Sequence, residues 1–354
     1  MPETVDAIVV GAGVAGLTVA RALTESGRRI VVLEARDRVG GRLRSVAVEG
    51  GVVDLGATWY WASEPRVCSL VAELGLACHD QHILGDALYQ DSHGVHRLEG
   101  NPIEGPALRL AAGMEELAKA MARTLPTGTV HLSCPVTRIR SVGEGLMVEF
   151  GGGARRAAQV VLALAPALAV ALLEFEPRLS DELLRLASST PVWMGAMTKV
   201  VMRYERAFWR DRGLAGAVMS HAGPMHEIHD MSGPDGTRPA LFGFVPPTHP
   251  GSPLVTQDEI LVQLRLLFGV DAPAPTEVLI RDWRAERYTS PEGVESLQAY
   301  ETYGHPSYAR PELDGRLHWA STETAQEAPG HIEGAIAAGK RAAAAVLSDL
   351  AGAR

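Results

Sequence analysis

Asp6-Ala7-Ile8-Val9-Val10-Gly11-Ala12-Gly13-Val14-Ala15-Gly16 lies close to the start of the chain, and its reading decides the fold. Residues 6–10 form a short apolar run that predicts a buried strand. Leu17, Ala20 and Leu23 then recur at helical spacing up to Gly27. Ile30 to Leu33 predicts a second buried strand, closing on Glu34, 21 residues (34 minus 13) past Gly13. Strand, glycine turn, helix and strand make one βαβ unit. Gly11 suits the tight turn, Gly13 lets backbone approach a pyrophosphate, and Gly16 allows the helix to pack closely on the strand. The helix N-terminus then offers free N–H groups to phosphate charge. Glu34 is placed to accept hydrogen bonds from an adenosine ribose, and its charge would repel a 2′-phosphate, which disfavours NADP. The unit predicts a dinucleotide site in an α/β fold, with NAD and FAD both open at this point.

The rest of the chain bounds the possibilities. Its 354 residues are enough for about two domains with real cores. Lys plus Arg number 33 against 42 Asp plus Glu, a net charge of −9, so nucleic acid is not an expected partner. Cys68, Cys78 and Cys134 are far apart and show no CxxC or CxxH spacing, which fits a reducing cytoplasm. No export signal is expected from the opening Met-Pro-Glu-Thr-Val-Asp. No membrane span is expected either, since the longest apolar segment, Val160 to Leu173, is interrupted by Pro166 and falls short of ~18 residues. Leu110 to Leu125 has helical periodicity, and Val130–Leu132, Leu146–Phe150, Val160–Leu164, Val192–Tyr204 and Leu317–Ala320 read as strands. Residues 246–253 read as a Pro-rich loop, and Ile332 to Leu347 as an amphipathic C-terminal helix.

The residues after Glu34 separate NAD from FAD. Ala35-Arg36-Asp37-Arg38-Val39-Gly40-Gly41-Arg42 resembles the flavin amine oxidase family, in which an acid is followed by Ala-Arg and then Gly-Gly-Arg. Further matches are spread along the chain: Asp54-Leu55-Gly56-Ala57-Thr58-Trp59, Ala112-Gly113-Met114, Val136 after Cys134-Pro135, Thr198-Lys199 through Phe208-Trp209-Arg210, and Ala320-Ser321-Thr322-Glu323-Thr324-Ala325 with Gly330 and Glu333-Gly334-Ala335. The resemblance implies a Rossmann-type, glutathione-reductase-like FAD-binding domain (1–60, 106–166 and 314–354) and a smaller α+β substrate domain (61–105 and 167–313). It implies FAD held by Gly11, Gly13, Gly16, Glu34, Arg36, Gly41, Arg42, Gly56, Ala57, Thr58, Val136, Glu323 and Ile332. Arg42 would reach the diphosphate in a bidentate role that lysine fills poorly. Glu323 would lie near the diphosphate and ribityl chain, and the Ile332 N–H would face the flavin O2. Lys199 would reach flavin N5 through one water.

By the same resemblance the chain would oxidise a small-molecule amine to an imine, with dioxygen as acceptor giving hydrogen peroxide. Two departures stand out. Only about fifty residues separate Trp59 from Leu110, where the family carries a longer helical part, so a more open pocket is expected. At the aromatic cage beside the flavin, His331 occupies the C-terminal position and Tyr300 is the candidate for the other. No cysteine occurs there, so a non-covalent flavin is expected. No residue is evident as a general base, which suits a neutral amine entering an apolar pocket. His221, His226, His229 and Asp230 lack regular ligand spacing, and no metal is expected. Trp193, Trp283, Phe242 and Phe244 read more readily as core than as pocket. A desaturase- or renalase-like FAD enzyme and a non-catalytic flavin-binding module stay open as alternatives. Oligomeric state is not legible.

Overall fold

The computed structural model describes residues 4–247, 251 and 253–352, so Thr248, His249, Pro250 and Ser252 of the expected Pro-rich loop lie outside the described residues. The opening unit folds as its spacing requires: β1 (Val5–Val10), α1 (Val14–Glu25) and β2 (Ile30–Leu33), with both strands parallel. Gly11 adopts φ +102°, and a Cβ there would meet the Ala163 carbonyl oxygen at 2.8 Å. A Cβ on Gly16 would lie 2.0 Å from the Gly11 carbonyl oxygen, so only glycine lets α1 lie this close to the turn.

The larger sheet has eight strands, in the order Glu174–Glu176, Val136–Val142, Gly145–Phe150, Gly153–Leu162, β1, β2, Val130–His131. Leu317–Trp319 adds to Gly153–Leu162 in parallel. Side chains alternate across a strand, and the two faces fill two cores. Ala7, Val9 and Val32 face α1 and the C-terminal helix Ile332–Gly352, while Ile8, Val10 and Leu33 face Leu183, Tyr308 and Trp319. The second sheet has seven strands, in the order Glu277–Asp282, Thr198–Arg203, Ala240–Val245, Glu227–Asp230, Leu214–Ser220, Asp86–Asp91, Gly94–Leu98. It is antiparallel apart from the pairing of Leu214–Ser220 with Asp86–Asp91.

The expected division of the chain needs correction. Glu174–Glu176 pairs with Val136–Val142 in the larger sheet, and Leu183 packs in the core on one face of that sheet. The helix Pro65–Glu73 packs through Val67, Leu70 and Val71 into the core on the other. The stretches just after 60 and just after 166, expected in the substrate domain, therefore belong with the nucleotide sheet. Their apolar faces are evident in sequence, but nothing local to them says which sheet they cover. No helix among the described residues is long and apolar enough to cross a membrane.

Candidate active site

One cavity of about 550 Å³ runs between the two sheets, within the ~300–1,000 Å³ typical of ligand sites. At one end it is lined by Gly11, Gly13, Glu34, Arg36, Pro135 and Val136, and at the other by Trp59, Trp61, Lys199, Phe244, Trp193 and His331. The turn Gly56-Ala57-Thr58 and the start of the C-terminal helix, Ile332 and Ala335, also line it.

The nucleotide end fits a dinucleotide in its own atoms. The first bond of α1 runs from Leu17 N–H to Gly13 C=O, which leaves the N–H groups of the preceding turn for a ligand. A Cβ on Gly13 would meet no neighbour within 4 Å, so backbone borders open space there. Glu34 is fixed by two backbone donors, Ala12 N–H at 2.7 Å and Arg36 N–H at 3.0 Å. Arg36 reaches across to Glu286 (3.2 Å) and Thr289 (2.6 Å), tying the turn after β2 to the segment following the second sheet's edge strand. Gly16 lies behind the turn as a packing residue and is absent from the cavity wall.

Arg42 and Glu323 meet as a forked ion pair, with Nη1–Oε1 at 2.6 Å and Nη2–Oε2 at 3.2 Å. Arg42 Nη1 also donates to the Trp193 carbonyl at 3.1 Å, which leaves Nε–H and the second Nη2 proton for a ligand. Glu323 is 0% exposed. Burial alone would push its carboxyl up, but the charge and hydrogen bonds of Arg42 hold it below the usual range. At the C-terminal helix the first bond is Ala335 N–H to His331 C=O, so the Ile332 N–H stands outside the helical ladder.

Lys199 is 2% exposed, which rules out a side chain reaching from a strand edge to solvent. Its Nζ donates to the Gly56 carbonyl at 2.7 Å and to Thr58 Oγ1, and lies 4.3 Å from the centroid of the Phe242 ring. Desolvation pushes its pKa down to about 7; Asp54 opposes that shift and Arg109 adds to it. The strand expected from Val192 begins only at Thr198, because Met194 takes φ +57° and turns the chain, placing Trp193 across Gly330.

His331 lines the cavity, stacks on Trp61 with centroids 5.1 Å apart, and bonds through Nδ1 to Glu64 Oε1 at 2.7 Å. Tyr300 does not join it: the residue is 53% exposed on a short turn and absent from the cavity wall. Of the tyrosines between 288 and 303, Tyr288 lines the cavity, but beside Arg36 at the nucleotide end. The aromatic surfaces around His331 are instead Trp61 and Trp193. Sequence reasoning missed Trp61 and Glu64, although the aromatic run Trp59-Tyr60-Trp61 directly after Thr58 was a usable signal. It missed Glu227 too, which gives no local sign. That carboxylate lines the cavity and accepts from His229 at 3.5 Å, while His229 bonds Glu104 at 2.7 Å. The hydrogen bond from His229 holds the Glu227 carboxyl below its usual range against the opposing effect of burial. Trp193, Trp283 and Phe244 line the cavity as well, and Phe242 lies behind Lys199.

A two-sheet α/β fold whose glycine turn opens into an aromatic-walled cavity is the architecture of a dinucleotide-binding protein. A family model described as flavin containing amine oxidoreductase matches residues 14–93 and 78–347, and the chain belongs to that family. The two matched pieces meet at 78–93, inside the stretch that is short in this sequence. Putrescine oxidase of Kocuria rosea is 26% identical over 460 aligned positions, covering 97% of this chain and 95% of the relative. The alignment is longer than the 354-residue chain, so the relative carries segments that this one lacks. A solved putrescine oxidase with putrescine bound superposes with a TM-score of 0.85 at 22% identity, covering 98% of this chain and 99% of that one. Cyclohexylamine oxidase of Brevibacterium oxydans gives 0.83 at 22%, covering 99% of this chain and 100% of that one. The protein is an FAD-dependent amine oxidoreductase.

Proposed function

We propose that the protein oxidises the C–N bond of a small amine carrying a second positive charge, with dioxygen as the final acceptor. The observation that carries the reading is a single cavity joining the glycine turn to a pocket walled by Trp59, Trp61, Trp193 and Phe244, with Lys199 and Glu227 in its lining. FAD, when bound, supplies a two-electron acceptor for hydride leaving the carbon beside nitrogen. The chain's own residues supply binding, orientation and exclusion of water. Gly11, Gly13 and the start of α1 would hold the diphosphate, Glu34 the ribose, and Val136 the adenine. The free N–H groups of Arg42 would reach the diphosphate, with Glu323 fixing that guanidinium. Gly56-Ala57-Thr58 and the Ile332 N–H would border the ring system. Trp61, Trp193 and His331 would flank the substrate, whose imine hydrolyses to a carbonyl compound and an amine or ammonia.

Glu227 would receive the distal cation. Its half-exposed carboxylate, held ionised by the hydrogen bond from His229, offers a negative charge to a cation entering between the aromatic walls. The name of one relative, putrescine oxidase, is in keeping with a diamine. Lys199, neutral or charged with little bias near pH 7, would present a proton or a positive charge where dioxygen is reduced. No cysteine lines the cavity, in keeping with FAD held without a covalent link.

Anaerobic mixing of the FAD-loaded protein with a panel of monoamines and diamines tests the reading through bleaching of the flavin band. Diamines such as putrescine are expected to reduce it at lower concentration than cyclohexylamine. Glu227→Gln is expected to raise the concentration needed for the diamine about tenfold or more, the loss of a charge-assisted bond worth about 1.5–3 kcal/mol, with little effect on the monoamine. Equal losses for both substrates would remove Glu227 from the recognition of a second charge.

A further inference from the structure

An alkylamine resembles a lysine side chain, with a pKa of ~10.4, so it reaches the site as an ammonium ion and must lose a proton before its nitrogen lone pair can support C–N oxidation. The sequence shows no evident base, so the titratable groups lining the cavity are the candidates. Lys199 is already engaged by Gly56 and Thr58. Glu34 is held by backbone N–H groups at the nucleotide end. Glu64 has both oxygens engaged, Oε1 with His331 and Oε2 with the Trp61 N–H at 3.0 Å. His331 Nε2 has no hydrogen-bond partner among the described residues and belongs to a ring that forms part of the wall.

We propose that His331 takes the proton from the bound substrate ammonium, with Glu64 as the positioning residue that fixes its tautomer. The proposal rests on the amine-oxidising reading above. Glu64 Oε1 accepts from Nδ1–H, which leaves the Nε2 lone pair as the base. The N–H bond of the ammonium breaks with its electron pair retained on the substrate nitrogen, and the proton forms a new bond to Nε2. The positive charge so created on the ring lies against the Glu64 carboxylate. Stacking on Trp61 sets the ring plane, and Thr322 Oγ1, donating to the His331 carbonyl at 2.8 Å, sets the backbone.

The surrounding charges leave Glu64 as the one bonded to the ring. Glu333, in the first turn of the helix that follows His331, is engaged by Arg66 at 2.9 Å and by the Val67 N–H, and Arg66 also pairs with Glu327. Arg42 and Glu323, beside Trp193, neutralise each other. Lys199 and Glu227 belong to the second sheet and have the partners already described. The hydrogen bond to Glu64 raises His331 above the ordinary histidine range, with burial opposing. The base is therefore protonated at low pH and becomes available as pH rises through that raised value.

The test is anaerobic flavin reduction as a function of pH, using putrescine and cyclohexylamine, with FAD content checked by absorbance. In the wild type, the reduction rate should rise along an acid limb. His331→Phe should lose the limb and run about a hundredfold slower at pH 7. Its deficit should close as pH approaches the amine's own pKa, and added imidazole should restore part of the rate. Glu64→Gln should move the limb to lower pH and reduce the rate. A titration of the His331 imidazole by NMR, assigned with His331→Gln, should show a lower pKa in Glu64→Gln without any turnover. A folded, FAD-loaded His331→Phe with the wild-type rate and limb would overturn the proposal, as would an unchanged imidazole titration in Glu64→Gln. If His331→Phe does not hold FAD, His331→Gln carries the same rate comparison. Absence of reduction by any amine would overturn the amine-oxidising reading itself, an outcome distinct from reduction with an unmoved profile.

Discussion

A buried lysine is the residue on which the oxidase reading turns. Lys199 sits among Phe242, Phe244 and the Gly56–Thr58 turn, and desolvation holds its pKa near 7. An unfolded lysine binds a proton up to ~10.4, so between about pH 7 and that value the unfolded chain holds more protons than the folded one and stability rises with pH. Lys199→Met removes that slope: thermal melts should show the wild type gaining on the variant as pH is raised from 7 to 9.5. The same variant should keep FAD and be reduced by amine, yet react with dioxygen about tenfold more slowly, a loss of roughly 1.4 kcal/mol of barrier stabilisation. Stopped-flow mixing of pre-reduced protein with oxygenated buffer measures it, and reoxidation at the wild-type rate would make Lys199 structural. That this lysine needs a partner was legible in its apolar flanks. That its partners are a backbone carbonyl and a threonine some 140 residues earlier was not, because nothing in either segment encodes their meeting.

At the scale of elements, β1, α1 and β2 were readable almost to the residue, since glycine geometry and two distinct periodicities agree there. The helix expected from Leu110 starts instead at Glu115, because Leu108–Leu110 is taken up by antiparallel pairing with Cys78–Asp80. A short apolar run satisfies either period, and only the distant strand decides. The cage shows the same limit: the segment holding Tyr300 is a run of short turns with no periodicity to align, whereas the Trp61 and Trp193 beside His331 arrive from other elements. Gly16 gives the sharpest test at this scale. Any Cβ there meets backbone rather than a yielding side chain, so Gly16→Ala should cost about 1–3 kcal/mol as an overpacked contact and displace the turn that borders the diphosphate. Denaturant melts and FAD content after purification should both fall. Gly105→Ala, where a Cβ meets nothing within 4 Å, should leave both unchanged.

The whole molecule is organised around a cavity whose walls come from both sheets and from positions as far apart in sequence as Val10 and Ala335. Arg36 with Glu286 and Thr289, Arg42 with Glu323 and Trp193, and Lys199 with Gly56 each join segments far apart in sequence across or beside that space. A ligand filling the space touches both layers at once and binds only the assembled state, so it should stabilise both sheets together rather than one of them. With free FAD at a hundred times its dissociation constant the gain is about 2.7 kcal/mol, enough to raise the melting temperature of the apoprotein by several degrees. The shift should appear in one cooperative transition, followed both by far-ultraviolet dichroism and by the fluorescence of the six tryptophans. Two transitions, with only one moved by FAD, would mean that the second sheet folds independently of the cofactor. No cysteine borders the cavity, so unfolding should release the cofactor: acid precipitation should leave the yellow colour in the supernatant as intact FAD, and flavin retained in the precipitated chain would refute a site held together by non-covalent contacts alone.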